Sequence, residues 1–177
     1  LLHHEGMTAS DRSEAADVVV IYTCSVREKD EHRLYTEPGV LLARKRSEPG
    51  LIVGVGGCVA QQEGEDLLRR FPRLDFAFGP QNLVHLPAMV RAARERERSL
   101  RIDYDDPAGT RFDLPGRHPG YATPTPGRAF VTVMEGCDLF CSYCVVPRTR
   151  GREVSRPSAR IVEEIRTLAA AGTSEVT

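Results

Sequence analysis

The sequence contains no uninterrupted apolar run approaching the roughly 18 residues that a membrane-spanning helix needs. With 41% hydrophobic and 28% charged residues, its composition lies in the globular range. A soluble protein with no membrane partner is therefore expected. The opening stretch, LLHHEGMTASDRSEAAD, lacks the basic start, apolar segment and cleavage site of a secretory signal, which predicts a cytoplasmic location. Net charge is scarce as well: 24 Lys and Arg against 25 Asp and Glu leave -1, so whole-chain electrostatics predict no polyanion partner. Internal repeats and low-complexity tracts are absent. Histidines 3, 4, 32, 85 and 118 form no ligand-spaced cluster with the thiols and read as surface or loop residues. Cysteine is rare, with five in 177 residues, and a chain of this length buries a core without disulfide staples. In a reducing compartment, clustered thiols point to metal ligation or catalysis.

What is present is uneven. Three of the five cysteines, Cys137, Cys141 and Cys144, fall within eight residues of the stretch MEGCDLFCSYCVVPRTRGREVSRP. Between Arg148 and Arg160 stand five arginines (148, 150, 152, 156 and 160) against one acid, Glu153. Such a patch suits phosphates, or is a solvated basic loop and helix start.

Alternation of strand and helix signals predicts an α/β fold. DVVVIYT, Asp17 to Thr23, reads as a buried parallel strand. Ser25 and Glu28 then form a capping-box pattern, and a helical composition runs to about Ser47, with Pro38-Gly39 expected to break or bend it. Leu51 to Val55 is a second apolar run, closed by Gly56-Gly57-Cys58. QQEGEDLLRRF follows as helix, LDFAFG as strand, and a helix is expected from about Asn82 through RAARERER. This is the pattern of a doubly wound α/β domain over residues 1–98 with a mainly parallel sheet. Ligands of such sheets sit at the C-terminal ends of strands. Cys24 and Cys58 each stand just past a strand, 33 residues apart in between, so they are either two thiols facing one edge or two small buried hydrophobes. Residues 99–127, rich in Pro, Gly, Asp and Arg, read as a linker. The strand RAFVTV, Arg128 to Val133, then leads into the cysteine loop. An amphipathic helix opening at Ser155 or Pro157-Ser158 carries Ile161, Ile165 and Leu168 on one face and ends at Ala171-Gly172, and Glu175 to Thr177 begins another strand. Residues 128–177 are thus one βα unit of a second α/β domain. Because residue 1 is leucine and the final SEVT starts a strand, the sequence is expected to be a piece of a longer protein.

The spacing C-x-x-x-C-x-x-C selects among metals. Zinc sites generally reach four ligands with two C-x-x-C pairs or with histidine, and a fourth ligand is missing here. Bacterial ferredoxin spacing does not match either. Three thiolates on a 4Fe-4S cluster leave one iron open. Such an iron takes the amino and carboxylate groups of S-adenosylmethionine and passes an electron into its sulfonium, giving methionine and a 5′-deoxyadenosyl radical. A structural zinc or a plain iron-sulfur site is the alternative.

These three cysteines, with Tyr143 just before the last and a strand just before the first, resemble the radical S-adenosylmethionine superfamily motif. The flanks EGCDLFCSYCVVPRTRGREVSRP, ADVVVIYTCSVREK, GLIVGVGGCVAQQEGE and FAFGPQNLVHLP resemble the tRNA methylthiotransferases from about Asp17 onward. Within that family the likeness is greatest to the branch acting on isopentenylated adenosine. The resemblance implies that residues 128–177 begin a truncated radical partial (β/α) barrel, and that Tyr143 lies near the adenine of S-adenosylmethionine. It implies two 4Fe-4S clusters, one on Cys137, Cys141 and Cys144, the other on Cys24, Cys58 and a third cysteine that has no counterpart here.

The implied activity adds a methylthio group to carbon 2 of isopentenylated adenosine next to the anticodon. One S-adenosylmethionine serves as methyl donor and another as radical source. Its partners are tRNA, with Arg148, Arg150 and Arg152 as candidate phosphate contacts, and an electron donor such as a flavodoxin or ferredoxin. Methylthiolation of threonylcarbamoyl-adenosine or of a ribosomal protein side chain is an alternative. A non-catalytic iron-sulfur or zinc module with RNA affinity is an alternative of another class. With two of three auxiliary ligands, the polypeptide alone is expected to be inactive.

Overall fold

A computed structural model of the chain describes residues 1–25, 28–104, 112 and 127–177, with residues 28–37 as backbone only. The chain forms two units, Leu1–Leu114 with Arg148–Arg150, and Pro115–Pro147 with Gly151–Thr177.

In the first unit four strands make a wholly parallel sheet in the order of the sequence: β1 (Val18–Thr23), β2 (Ile52–Gly57), β3 (Phe76–Phe78) and β4 (Ser99–Arg101). Period-2 alternation sends their side chains to opposite faces. Val19, Ile21, Val53, Val55 and Ala77 pack on one face with residues of three helices, α1 (Glu28–Ser47), α2 (Cys58–Glu63) and α3 (Glu65–Arg70). Val18, Val20, Ile52, Phe76 and Phe78 pack on the other with α4 (Leu86–Arg94) and with Leu2 and Met7. The expected parallel α/β layer is therefore present, with helices on both faces. Its strand order does not reverse among the described strands, so the thiols stand at the ends of neighbouring strands rather than at a switch point.

Several local expectations are revised. Pro38 neither breaks nor ends α1: the helix runs unbroken from Glu28 to Ser47, and the Pro38 ring is fully buried. Burial of an apolar ring offsets the backbone hydrogen bond that proline cannot donate. Residues 26 and 27, which lie inside the proposed capping box of Ser25 and Glu28, fall outside the described residues. The single helix read across QQEGEDLLRRF is two, divided at Gly64, whose φ of +53° suits glycine. The last helix begins as a 3₁₀ turn, Pro80–His85, before α4 and stops at Arg94. Ser99–Arg101, which composition assigns to the linker, is extended because Phe76 to Phe78 offer it a free ladder edge. Most of the remaining linker, residues 105–111 and 113–126, lies outside the described residues.

Asp75 shows how the helical layer is tied to the sheet. Its carboxylate accepts the Val53 backbone N–H at 2.7 Å and pairs with Lys45 of α1, both side chains being only 15% exposed. Asp75→Ala leaves a half-buried ammonium and a strand N–H without these partners, and is expected to cost about 1.5–3 kcal/mol in denaturant unfolding. A loss below a few tenths of that would mean that water replaces the carboxylate.

In the second unit β5 (Arg128–Ala129) pairs in parallel with β8 (Glu175–Val176). Hydrogen bonds extend the pairing, since Val131 N–H donates to Thr177 at 2.9 Å. The strand read over Arg128 to Val133 thus has a shorter formal ladder. Helix α6 (Ser158–Ala170) buries Leu168, with Ile161 and Ile165 beside it, against Ala129 and Val131, the face its period predicts. A separate antiparallel pair, β6 (Met134–Glu135) with β7 (Val154–Ser155), closes the base of the cysteine loop. The five-residue helix α5 (Val146–Arg150) lies within that loop.

Candidate cysteine centres

All five cysteines are free thiols. In the first unit the parallel register pairs Thr23 with Gly57, so the residues next along, Cys24 and Cys58, leave adjacent strands at the same edge of the sheet. Neighbouring strands lie about 4.8 Å apart, which places the two backbones within reach of one small inorganic group. Cys58 is buried and opens α2, whereas Cys24 is half-buried. The edge is held tightly. Thr23, itself buried, donates its hydroxyl to the Gly56 carbonyl at 2.8 Å. Gly57 has φ +102°, and a Cβ there would lie 2.2 Å from the Thr23 carbonyl oxygen. Just beyond the strands, the Ser25 hydroxyl donates to the Gln62 side-chain carbonyl. Next to this edge, Gln61 is anchored by its Nε2 on the Ile102 carbonyl at 2.7 Å.

In the second unit Cys137 and Cys144 are half-buried and Cys141 is exposed. The loop is pinned near its first cysteine. Cys137 N–H donates to the Gly151 carbonyl at 3.2 Å. Gly136 has φ +80°, and a Cβ on it would meet the Arg152 carbonyl oxygen at 2.0 Å. The Asp138 carboxylate accepts from the Arg152 guanidinium at 3.2 and 3.3 Å and from the Glu153 N–H at 3.1 Å. The Arg152 guanidinium, and after it the Glu153 N–H, hold the Asp138 carboxyl below the usual carboxylate range. At the far end of the loop, Cys144 N–H donates to the Cys141 carbonyl at 3.0 Å. Phe140 adopts φ +46°, and Tyr143 is 91% exposed.

Among the described residues, no three His, Cys, Asp or Glu side chains converge as a metal-binding group. The backbone brings Cys137, Cys141 and Cys144 onto one pinned loop, without gathering their sulfurs. Ligand convergence and metal binding are coupled in thiolate sites, and three free thiols with no disulfide among them are a donor set suited to an iron-sulfur group.

The arginines divide. Arg152 is engaged by Asp138, and Arg156 pairs with Glu164 and donates to the Thr132 carbonyl at 3.3 Å. Arg148 is exposed and Arg150 half-buried. Both belong with the first unit, where the Tyr104 hydroxyl donates to the Arg148 carbonyl and Gln81 Nε2 donates to Thr149 at 3.3 Å. Sequence reading did not single out Asp138, Thr23 or Gly57. The glycines immediately preceding Cys58 and Cys137 were the available signal, because glycine before a ligand marks a close backbone approach.

No helix among the described residues is long and apolar enough to cross a membrane. Residues 1–79 match the family model described as "Uncharacterized protein family UPF0004". Over its whole length the chain is 50% identical to a tRNA-2-methylthio-N(6)-dimethylallyladenosine synthase of Geobacter metallireducens, of which it spans 39%. Proteins of the same name from Citrifermentans bemidjiense and Chromobacterium violaceum are 50% and 45% identical over 92% and 98% of the chain, which spans 36% and 38% of them. The chain therefore corresponds to less than two-fifths of each of these relatives.

Proposed function

We propose, from the premise that this chain belongs to the tRNA methylthiotransferase family, that its protein adds a methylthio group to carbon 2 of an isopentenylated adenosine beside the anticodon of tRNA. The observation carrying this reading is that all five free thiols occupy strand-end or loop positions in a chain similar throughout to synthases named for that product. The N-terminal α/β domain then runs to β4, ending at Arg101 rather than at residue 98, and the linker is the stretch from there to residue 127. Residues 128–177 begin a radical partial (β/α) barrel, with β5, α6 and β8 as its first strand, helix and strand.

In this reading Cys137, Cys141 and Cys144 would hold a 4Fe-4S cluster that acts on S-adenosylmethionine. When bound, that cluster supplies the electron for radical cleavage of the sulfonium, the chemistry that an unactivated aromatic C–H demands. Tyr143, whose ring is exposed, would lie near the adenine of the cofactor. Cys24 and Cys58 hold an auxiliary cluster, which Gly57 and Thr23 keep at the sheet edge. The protein works in the cytoplasm, with a flavodoxin- or ferredoxin-type electron donor. The test is to incubate the intact, anaerobically reconstituted protein with isopentenylated tRNA, with threonylcarbamoyl-adenosine tRNA and with ribosomal protein. Methylthiolation of the first alone is expected, and product on either of the others instead would overturn the assignment.

Arg148 and Arg150 supply phosphate contacts in this reading, and Arg152 a weaker one because Asp138 already engages it. Charge reversal of Arg148 and Arg150 is expected to weaken tRNA binding and to flatten its salt dependence by about 0.9 in log–log slope for each phosphate no longer neutralised. Titrations over a range of salt that show unchanged affinity and slope would remove these arginines from the interface.

A further inference from the structure

We infer that Asp138 is a positioning residue for the three-cysteine loop: its carboxylate fastens the residue after the first thiol to the backbone and side chain leading into β7. The loop between β6 and β7 is held at its base by the antiparallel pairs Met134 with Ser155 and Glu135 with Val154. Beyond that base, three contacts join two adjacent residues of one arm, Cys137 and Asp138, to three of the other, Gly151, Arg152 and Glu153. They are the Cys137 N–H on the Gly151 carbonyl, the forked Arg152 contact on Asp138, and the Glu153 N–H on Asp138 Oδ1. Gly136 permits this approach, since any Cβ there would overlap the Arg152 carbonyl.

The Arg152 side chain is 81% exposed and that of Asp138 42%, and exposed ion pairs add little to global stability. What the pair does is directional. A forked guanidinium contact fixes the plane of the carboxylate. The Glu153 N–H adds a main-chain donor to Oδ1, the oxygen that also accepts Arg152 Nε, so the peptide joining Cys137 to Asp138 is held in one orientation. That peptide sets where the first thiol leaves the strand. Carboxylates that orient ligands from outside the ligand shell commonly control metal retention.

This inference rests on the reading that Cys137, Cys141 and Cys144 bind a cluster, and its test separates the two. The intact protein with Cys24→Ala and Cys58→Ala, so that only the loop binds iron, is reconstituted anaerobically. The rate of iron removal by a ferrous chelator and the electron paramagnetic resonance of the reduced cluster with S-adenosylmethionine are then measured. Asp138→Ala is expected to lose iron roughly 10–100-fold faster than its parent. Asp138→Asn, which keeps size and one acceptor for the Glu153 N–H, should fall between, and serves alone if the alanine variant does not fold. Arg152→Ala should add nothing in the Asp138→Ala background, because both act through one contact. Equal rates in all variants beside a cofactor-sensitive parent signal would overturn the role of Asp138 and leave the cluster reading intact. A parent that retains no cluster would overturn both.

Discussion

Cys141→Ala in the intact, reconstituted protein is expected to lose about half of the bound iron, because two thiolates do not retain a cubane that three hold. On the proposed reading, the iron that remains is that of the auxiliary cluster, held in the intact protein by Cys24, Cys58 and the third cysteine that this sequence lacks. Adding S-adenosylmethionine to the reduced variant should leave its paramagnetic resonance unchanged, whereas the unaltered protein should show a shifted signal. Of the three loop thiols, Cys141 is the one most open to solvent. It is the cysteine whose replacement disturbs packing least, so the loss reports ligation rather than collapse. The control is Ser142→Ala between the cysteines, which should change neither quantity. Full iron content with an intact cofactor shift in Cys141→Ala would mean that Cys141 is not a cluster ligand and that the three-thiol reading of this spacing is wrong. Tight zinc in place of iron would favour a binding module.

The sequence carried the placement of the thiols better than the boundaries of the elements. Cys24 and Cys58 were legible because a β-branched run ending in small residues can only be a strand edge, and the register between β1 and β2 then brings the two edges level. The apolar face of α6 was legible because Ile161, Ile165 and Leu168 repeat with the helical period. Pro38 was not, since only the tertiary burial of its ring reveals why the helix continues. Ser99–Arg101 was not, since its extended form is dictated by the edge of β3 rather than by its own composition. Asp138 and Arg152 were out of reach for the same reason. Their contact spans the loop between β6 and β7, and no local spacing rule joins an acid to a base fourteen residues away. The arginine run therefore read as one patch, whereas the fold gives Arg152 and Arg156 carboxylate partners.

Gly57→Ala and Gly39→Ala make the same chemical change and should have opposite signs. At Gly57 the added methyl would meet the carbonyl oxygen of Thr23 at 2.2 Å and its nitrogen at 2.9 Å, both main-chain atoms of β1, and φ is +102°. Neither a rotamer change nor a small helix shift clears such an overlap. Backbone strain of about 1–3 kcal/mol and overpacking of about 1–3 kcal/mol together predict a loss of roughly 2–6 kcal/mol in denaturant unfolding. Gly39 lies within α1, exposed, and a methyl added there would find nothing within 4 Å. Alanine at this position should stabilise by roughly 0.5–1 kcal/mol, the difference in helix propensity. The functional consequence follows from the register. To relieve the clash, β1 and β2 must separate where Thr23 faces Gly57, the step immediately before both thiols, so Gly57→Ala should also release iron from the auxiliary site while the loop cluster stays. A Gly57→Ala protein as stable as its parent, with both clusters retained, would show that the strand ends are free to part and that the thiol edge is not fixed by this close approach.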